Sequence, residues 1–480
     1  MLRILLFYTF SSIILFGCAE NKKQADEAGV DSASDSFHMV PKVVQHYSSS
    51  CAECHGVKMD AFADREWVHG STREDLFKGI KSGYPSAGMP AFDSAYLDEE
   101  IYELTDYIMT GIDNRKRYDF TEKPTATESF PSETFNIKLD TIVKDMKSPW
   151  GMAFLPDGGM LVTEKSGQLY KVDKERLRVL VTGTPAVSDA GQGGMLDVVL
   201  HPGFASNQLM YISYSGIKKE GADELATTVI MRAKLEGSRL VDKKIIFEAL
   251  PYSKTRHHYG CRMVFGRDGL LYFSVGDRGN EKENPQSTNN DLGKIHRVKD
   301  DGSIPADNPL INNPDAKQSI YTWGNRNPQG LTIHPVTGAV WANEHGPRGG
   351  DEINSIEKGK NYGWPVISYG INYNNAVITN KTTQEGMEQP FHYWLPSIGP
   401  SGMAFVTGDK YKGWEGDLLV GSLRFKYLNR SKMKDGKITG EELLLKNIGR
   451  VRDVRMSPGG DIYIAVEFPG YIFKLVPVQK

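Results

Sequence analysis

Two cysteines and a histidine near the amino terminus have the spacing that covalent haem attachment requires. Cys51 and Cys54 lie three positions apart, and His55 follows at once in the sequence CAECH. Each thiol at this spacing can bond one haem vinyl group, and the adjacent imidazole is then held against one face of the iron. The alternatives are a redox dithiol or a zinc site, and zinc would require further cysteine or histidine ligands close by. The motif therefore predicts covalent haem c.

Met89, in a Gly-Met-Pro step, is the candidate for the second axial ligand of the haem iron. An electron-transfer haem needs a ligand on each face, and a thioether raises its reduction potential. The preceding segment, KSGYPSAGMPAF, is rich in glycine and proline, as expected of a chain that bends around a haem edge. Beyond it, Leu97, Ile101 and Leu104 recur at helical spacing. These features predict a small helical domain, and residues 40–112 resemble class I cytochromes c.

The extreme amino terminus has the features of an export signal. Arg3 precedes an apolar run from Ile4 to Phe16 that is too short to span a bilayer. The run leads into LFGC, which resembles a bacterial lipobox ending at Cys18; an uncleaved anchor or a plain secretory signal is the alternative. We therefore expect an exported, periplasmic lipoprotein of a Gram-negative bacterium, attached to the membrane only through a lipid on Cys18. The polar residues 18–38 would form a disordered tether.

The composition is typical of a soluble protein with several domains. The 480 residues are too many for one ordinary domain, and 39% of them are hydrophobic. Lysine and arginine number 57 against 60 aspartate and glutamate residues, so no positive excess is available for a phosphate backbone. We therefore expect no nucleic-acid partner. Four cysteines are too few for a disulfide framework at this length.

One pattern recurs six times in the larger, carboxy-terminal part of the chain. Each copy has a hydrophobic run, a Pro/Gly or Asp-Gly turn and a β-rich run, which predicts a hairpin. Six copies over about 345 residues leave roughly 58 residues each, enough for a four-stranded blade and its loops. Units that cannot bury their own faces are stabilised by stacking in a ring, so a propeller is favoured over a sandwich or tandem β domains. The copies span 151–164, 196–214, 262–277, 330–344, 402–423 and 452–467.

The predicted fold class is therefore an all-β six-bladed propeller preceded by a small all-α cytochrome c domain. A stretch rich in Thr, Ser, Pro and Glu, from Thr121 to Glu133, separates the two. The predicted segments are a lipoprotein-type signal peptide at 1–17, a tether at 18–38, the cytochrome domain at 39–115, a linker at 116–134 and the propeller at 135–480.

Several motifs between the hairpins occur together in one enzyme family. They are GQGGML (191–196), HYGCR (258–262), YTWGNRNPQG (321–330), NEHGPRGGDE (343–352), NYGWP (361–365) and RVRD (450–453). In this order they resemble the soluble PQQ-dependent glucose and aldose sugar dehydrogenases, over about residues 140–478. The resemblance is specific for the family and weaker for the substrate. Because propellers serve many functions, these motifs carry the functional prediction and the fold does not.

Arginines suit the cofactor that this resemblance implies. PQQ is a flat tricarboxylate ortho-quinone, so its site needs fixed cations, a Lewis acid and a base. Arg450 and Arg452 alternate along an extended run and would share one face, where guanidinium groups bind carboxylates bidentately. The resemblance implies that both bind PQQ, that Asn327 contacts it, and that Arg424 replaces the usual lysine. Surface arginines at a blade edge are the alternative.

The resemblance also implies a catalytic Ca²⁺ held by the backbone carbonyls of Gly346 and Pro347. Calcium prefers several oxygen ligands, and proline fixes φ while contributing only an acceptor. An ordinary turn is the alternative. Asp300 and Asp301, in the sequence KDDG, would either hold a second, structural calcium or simply form the turn that Asp-Gly predicts.

His258 is the predicted catalytic base. Imidazole suits a proton acceptor near neutral pH, and the spacing from His258 to Arg262 matches the family motif. By the same resemblance, Asp277 orients this base, Gln192 binds substrate, and Arg326 stabilises negative charge on the quinone oxygen.

Two aromatic residues and one cysteine are the last residues for which the sequence predicts a role or an environment. Tyr393 and Trp394 would line the sugar cleft, where aromatic faces suit pyranose C–H groups; a core aromatic pair is the alternative. Cys261 has no remaining partner and is predicted to be a small buried residue.

Together these residues predict a quinohaemoprotein that oxidises aldoses at C1 to lactones. His258 would remove the hydroxyl proton while hydride passes to the quinone carbon polarised by Ca²⁺. Electrons would then pass singly to the covalent haem and on to an external acceptor, such as another cytochrome or a membrane oxidase. The alternative is a catalytically silent propeller that binds a glycan or a protein, with the attached cytochrome serving another partner.

Overall fold

The protein is described here by a computed structural model that covers residues 42–55, 62, 67–113, 116–120, 129–279, 282–372 and 378–480. The predicted signal peptide, Cys18 and the tether at 18–38 lie outside the described residues, and so does the side chain of Cys54. None of the helices in these segments has the length and apolar character needed to cross a membrane.

Four helices form the amino-terminal domain. They are α1 (Lys42–Ser50), α2 (Ala52–His55), α3 (Arg73–Ser82) and α4 (Asp98–Asp113), with 3₁₀ turns at Pro85–Ala87 and Lys116–Tyr118. α3 begins at a capping box, in which Thr72 and Asp75 each accept the backbone N–H of the other. Apolar residues at helical spacing, among them Leu76, Ile101 and Leu104, meet in a buried core. The predicted helical domain is confirmed.

Six antiparallel sheets follow in a ring, and in the first five the strands lie in chain order from the inside outwards. A short helix, α5 (Phe204–Asn207), joins the first two strands of the second blade. The strands of the first five blades are β3 (Pro149–Phe154), β4 (Met160–Glu164), β5 (Gln168–Val172) and β6 (Arg178–Val181); β7 (Met195–Leu200), β8 (Leu209–Glu220), β9 (Asp223–Glu236) and β10 (Arg239–Glu248); β11 (Met263–Phe265), β12 (Leu271–Val275), β13 (Lys294–Val298) and β14 (Ile320–Trp323); β15 (Pro328–Ile333), β16 (Val340–Glu344), β17 (Asp351–Ile356) and β18 (His392–Trp394); and β19 (Pro400–Phe405), β20 (Leu418–Ser422), β21 (Leu428–Lys434) and β22 (Lys437–Leu444).

The sixth blade combines strands from both ends of the propeller. It contains β23 (Val451–Met456), β24 (Ile462–Val466) and β25 (Tyr471–Val478), and its outer strands are β2 (Asn136–Val143) and β1 (Ser129–Pro131). β2 pairs with β25 along its length, which joins the two ends of the propeller. Each inner strand contacts the next, and β23 contacts β3, so the ring is closed. Closure removes open edges from the inner part of every sheet.

The six predicted hairpins are the first two strands of the six blades, which confirms the propeller. Their signal was strong because these strands are buried: every residue of β4, β12 and β16 is buried. The outer strands have a weaker hydrophobic pattern; in β10, for example, the residues from Asp242 to Lys244 are exposed. Inner strands pack on both faces and so remain apolar.

Four charged side chains meet where the inner strands converge, and we call them the central ion cluster: Asp197, Arg262, Asp453 and Arg455. Arg262 Nη1 lies 3.1 Å from Asp197 Oδ1 and 3.0 Å from Asp453 Oδ1. Arg455 contacts the same two carboxylates at 2.6 and 3.0 Å, and their charges raise its pKa. Gly402 faces the cluster, because a Cβ there would lie 2.3 Å from Asp453 Oδ1. The cluster links the second, third and sixth blades.

Replacing Arg262 by methionine should destabilise the propeller strongly. Both carboxylates would lose a buried partner, and breaking a buried ion pair in this way costs about 3–5 kcal/mol. The measurement is the midpoint of urea unfolding followed by tryptophan fluorescence. The control is Arg176→Met, which removes an exposed ion pair with Asp140 and should cost less than about 1 kcal/mol. Equal shifts in the two variants would contradict the prediction.

Candidate active site

The predicted site residues gather at one end of the ring, which we call the site end. Antiparallel neighbours run in opposite directions, so the start of each inner strand lies beside the end of the second strand. One group of predicted residues precedes inner strands, and the other follows second strands. The first group is Gln192, His258, Arg326, Asn327 and Arg450, and the second is Asp277, Gly346, Pro347 and Arg424.

His258 and Asp277 form a buried pair at the third blade. His258 Nδ1 lies 2.6 Å from Asp277 Oδ1, while Asp277 Oδ2 accepts a hydrogen bond of 2.8 Å from Trp364 Nε1. The backbone of His258 has a φ of 56°, and a Cβ on Gly276 would lie 2.2 Å from the carbonyl oxygen of His258. The loop can therefore present His258 in this way only beside glycine. Gln192 Oε1 accepts the His258 N–H at 2.8 Å.

Burial and the nearby charge of Arg326 lower the pKa of His258 to about 4. Burial alone would raise the pKa of Asp277, but the hydrogen bond from His258 and the charge of Arg326 leave it below its usual value. Asp277 is therefore a carboxylate that can only accept, so Nδ1 of His258 carries the proton. Nε2 is left as the ring's acceptor, which is the state that a general base requires.

Arg326 and Asn327 present unsatisfied donors beside this pair. Arg326 Nη1 donates to the carbonyls of His345 (2.9 Å) and Gly346 (3.0 Å), and Asn327 Oδ1 accepts the Gly260 N–H. Arg326 Nε and Asn327 Nδ2 are buried, and neither finds a hydrogen-bond partner within the described segments. Buried donors of this kind are rare, and they fit a bound group that carries several oxygen acceptors.

Arg450 and Arg452 flank a single carboxylate, Glu467. Their Nε atoms lie 2.7 and 2.6 Å from its two oxygens. Arg452 Nη1 also donates to Gln329 Oε1, and Gln329 Nε2 donates to Asn327 Oδ1. Gln329 therefore connects the arginine pair to Asn327. Two guanidinium groups share one carboxylate, which leaves an excess positive charge.

Arg424 reaches the Gly346–Pro347 turn through Ser397. Its Nη1 donates to the Ser397 carbonyl at 3.0 Å, and Ser397 Oγ donates to the Pro347 carbonyl at 3.0 Å. Burial lowers the pKa of Arg424. The predicted cofactor arginine is thus adjacent to the predicted calcium turn.

The two carbonyls predicted to bind Ca²⁺ differ in their hydrogen bonds. The Gly346 carbonyl accepts from Arg326 and keeps a second lone pair, whereas that of Pro347 already accepts from Ser397 Oγ and from Gly350 N–H. A narrow cavity beside them is lined by Glu344 and Glu352. Burial raises the pKa of both carboxyls, and Glu344 raises that of Glu352 further. This excess of buried acid suits a cation.

The structure also places the two predicted aromatic residues and Cys261. Trp394 is 2% exposed in the core between the fourth and fifth blades, and its indole N–H donates to Glu441 Oε1 at 2.5 Å. Trp394 therefore does not line a cleft. Side chains alternate along β18, so Trp394 and Tyr393 point to opposite faces of the sheet. Tyr393 stacks on Tyr369, with ring centroids 4.1 Å apart. Cys261 is fully buried, as predicted, and burial raises its pKa to about 12.

The sequence KDDG forms a turn. Asp301 Oδ1 accepts the Ser303 N–H at 2.8 Å, and the Asp300 carbonyl accepts from Tyr211 Oη at 2.9 Å. Both aspartates therefore have roles in local structure, which supports the turn alternative.

The haem residues lie within the helical domain. Cys51 is buried, and the His55 ring lies 5.3 Å from that of Phe62. Met89 exchanges two backbone hydrogen bonds with Tyr84 and packs partly buried against the domain core. The chain around Met89 is thus fixed by a tight antiparallel bridge.

Comparison with known proteins places both parts of the chain. Residues 146–474 match the Glucose / Sorbosone dehydrogenase family, and residues 39–108 match the family described as cytochrome C oxidase, cbb3-type, subunit III. The chain belongs to the glucose/sorbosone dehydrogenase family. Its propeller carries an amino-terminal cytochrome c domain, as predicted.

Family relatives cover nearly all of the propeller. The aldose sugar dehydrogenase YliI of Escherichia coli strain K12 is 38% identical over 349 residues, covering 71% of this chain and 93% of that protein. The structure of the soluble aldose sugar dehydrogenase of Escherichia coli in the apo form has a TM-score of 0.68 and 36% identity, covering 71% of this chain and all of that one. The PQQ-bound aldose sugar dehydrogenase of Streptomyces coelicolor has a TM-score of 0.59 and 27% identity, covering 72% of this chain and all of that one.

Several residues at the site end were not identified from the sequence. Four of the six hairpins end in an acid, and these acids lie at the site end: Glu164, Asp277, Glu344 and Glu467. Only Asp277 was selected, although the recurring position at the strand end was a readable signal. His345 also escaped notice; its Nε2 donates to the Pro400 carbonyl at 2.7 Å, and burial together with Arg452 lowers its pKa to about 3.

The imidazole of His258 should stay neutral far below the usual pH range of histidine. Because its pKa is lowered to about 4, ¹⁵N-histidine NMR of the cofactor-free protein should show no protonation between pH 7 and about 5.5. A His258 midpoint near 6.5 would contradict the geometry described here.

Proposed function

We propose that the protein oxidises aldose sugars at C1 to lactones, with PQQ and Ca²⁺ as cofactors, and passes the electrons through haem c to an external carrier. The observation that carries this proposal is the buried pair of His258 and Asp277 beside Arg326. A neutral imidazole in one tautomer suits removal of a hydroxyl proton, and a fixed positive charge suits negative charge developing opposite it. The names of the relatives above support an aldose as the substrate class.

The charge and donor pattern supports PQQ. When bound, PQQ supplies the acceptor for the hydride that leaves the sugar carbon. Arg450, Arg452 and Arg424 would hold its carboxylates, since guanidinium groups stay charged at any working pH. Arg326 Nε and Asn327 Nδ2 would donate to its oxygens, which would satisfy two buried donors.

Calcium would bind at the Gly346–Pro347 turn and supply a Lewis acid next to the reacting oxygen. The Gly346 carbonyl has a lone pair to offer, and a cation there would favour the charged forms of the buried Glu344 and Glu352, whose pKa values burial raises. Coordination of Ca²⁺ by the Pro347 carbonyl would replace one of the two hydrogen bonds that this carbonyl now accepts.

The proton of the sugar hydroxyl would move to Nε2 of His258. The imidazolium formed in this way is stabilised by Asp277, whose carboxylate already holds Nδ1–H and is itself fixed by Trp364. Gln192, which accepts the His258 N–H, and Tyr393 would bind the sugar. Oxidation of C1–OH to the lactone carbonyl releases one proton, taken by His258, and one hydride.

The remaining parts of the proposal concern location and partners. Cys51 and Cys54 would bind the haem covalently, with His55 and Met89 as axial ligands. Cys18 would carry a lipid that holds the protein at the periplasmic face of a membrane. The electrons would leave to another cytochrome or a membrane oxidase.

Replacing His258 by alanine should abolish oxidation while PQQ still binds. General-base catalysis is worth about 10²–10⁴-fold, so dye-linked turnover with a panel of aldoses should fall by that factor. PQQ affinity, measured by absorbance titration, should change little. His257→Gln is the matched control, and it should keep activity within about tenfold. Normal turnover in His258→Ala would exclude His258 as the base, and absence of turnover in the wild type would favour the silent glycan-binding or protein-binding propeller.

Sugar oxidation should reduce the haem, and this should depend on calcium. Anaerobic mixing of the PQQ- and Ca²⁺-loaded protein with an active aldose should produce the absorption spectrum of ferrous haem c. Removal of calcium with a chelator should prevent the change, because the Lewis acid is lost, and added Ca²⁺ should restore it. Dithionite, which reduces the haem directly, is the control for an intact cytochrome. Haem that responds to dithionite but never to sugar would refute coupling between the domains.

A further inference from the structure

The four residues Arg117–Phe120, which follow the cytochrome domain, pack on the propeller, and we call them the docking segment. Tyr118 is 5% exposed, and its ring stacks on that of Phe425 with centroids 4.2 Å apart and planes at 4°. Arg117 forms an ion pair of 3.2 Å with Glu441 and a hydrogen bond with Tyr118 Oη. Part of the predicted linker is therefore bound to the fifth blade.

The docking segment binds at the site end. Phe425 lies in the loop between β20 and β21, which opens at that end, and directly follows Arg424. The Arg424 guanidinium lies 4.8 Å from the centre of the Phe425 ring and donates to Ser397, which in turn bonds to Pro347. A chain of direct contacts therefore runs from Tyr118 to the turn predicted to bind calcium.

Chain length keeps the cytochrome close to this contact. α4 ends at Asp113, and Arg117 already touches the propeller. Four residue steps span at most roughly 14 Å, so the end of α4 cannot lie farther than this from Arg117. The end of the helix that completes the cytochrome core is thus held near the fifth blade.

We propose that the docking segment sets the rate at which the haem accepts electrons, by holding the cytochrome next to Arg424 at the site end. This inference rests on the proposed function. Each aldose oxidised supplies two electrons, and a ferric haem takes only one as it becomes ferrous. Two transfers therefore follow each turnover, the external carrier reoxidises the haem between them, and two protons pass to solvent. A domain held at the rim makes both transfers without a new diffusional search.

The first test separates haem reduction from sugar oxidation. Tyr118→Ala should slow haem reduction at least tenfold in anaerobic stopped-flow experiments with the most active panel aldose. Dye-linked turnover should stay within about twofold, because a small dye does not need the cytochrome. Tyr118→Phe keeps the stacked ring and should restore the rate. Tyr102→Ala is the matched control, since it removes a similar stack with Phe77 inside the cytochrome and should leave haem reduction unchanged.

The second test needs no cofactor. Docking should protect the chain from trypsin at Arg117, so Tyr118→Ala should be cleaved there at least ten times faster than the wild type. Arg117→Ala, a change at a half-exposed side chain, gives a second variant for stopped flow and should also slow haem reduction. The inference would be overturned if folded Tyr118→Ala showed wild-type rates of both cleavage and haem reduction. If Tyr118→Ala does not fold, a wild-type rate of haem reduction in Arg117→Ala would overturn it. A wild type without dye-linked turnover would instead refute the proposed function, and trypsin would still decide the docking.

Discussion

The propeller and its site both depend on the guanidinium group of Arg262. This group joins the carboxylates of Asp197 and Asp453 across the closure of the ring. It also donates to the backbone carbonyls of Gln329 and Arg452, at 3.0 and 3.3 Å. Buried charges are costly unless fully paired, so the geometry of this contact tolerates little variation. The interaction that holds the blades together therefore also fixes the residues that would grip the cofactor.

At the site end, different carboxylates contact the arginines and the histidine. Glu467 neutralises part of the charge of Arg450 and Arg452, and Asp277 accepts the Nδ1–H of His258. The arginines thus retain an excess charge for an anionic ligand, while the imidazole stays neutral and able to accept a proton. Placing one acid at the end of a second strand in several blades achieves both effects with the same structural position.

The fold was predictable because inner strands are buried on both faces and repeat with regular turns. The family motifs predicted His258, Asp277 and Arg326 as site residues, and the structure brings these three side chains together. Trp394 was misplaced because its side of β18 depends on the register with β17, which no local pattern records. Glu344, His345 and Glu467 were missed for a related reason: their roles arise from neighbours in other strands. The docking of Tyr118 was hidden in a segment whose flanking composition indicates a linker.

The pairing of β2 with β25 imposes an order of events on biosynthesis. The partner of β2, the first long propeller strand, is β25, so the ring cannot close until residues 471–478 have been synthesised. Contacts this distant in sequence form slowly. The helical domain, whose contacts are local, precedes them and can fold and receive its haem while the blades are still open. Folding of the helical domain therefore need not wait for closure of the ring.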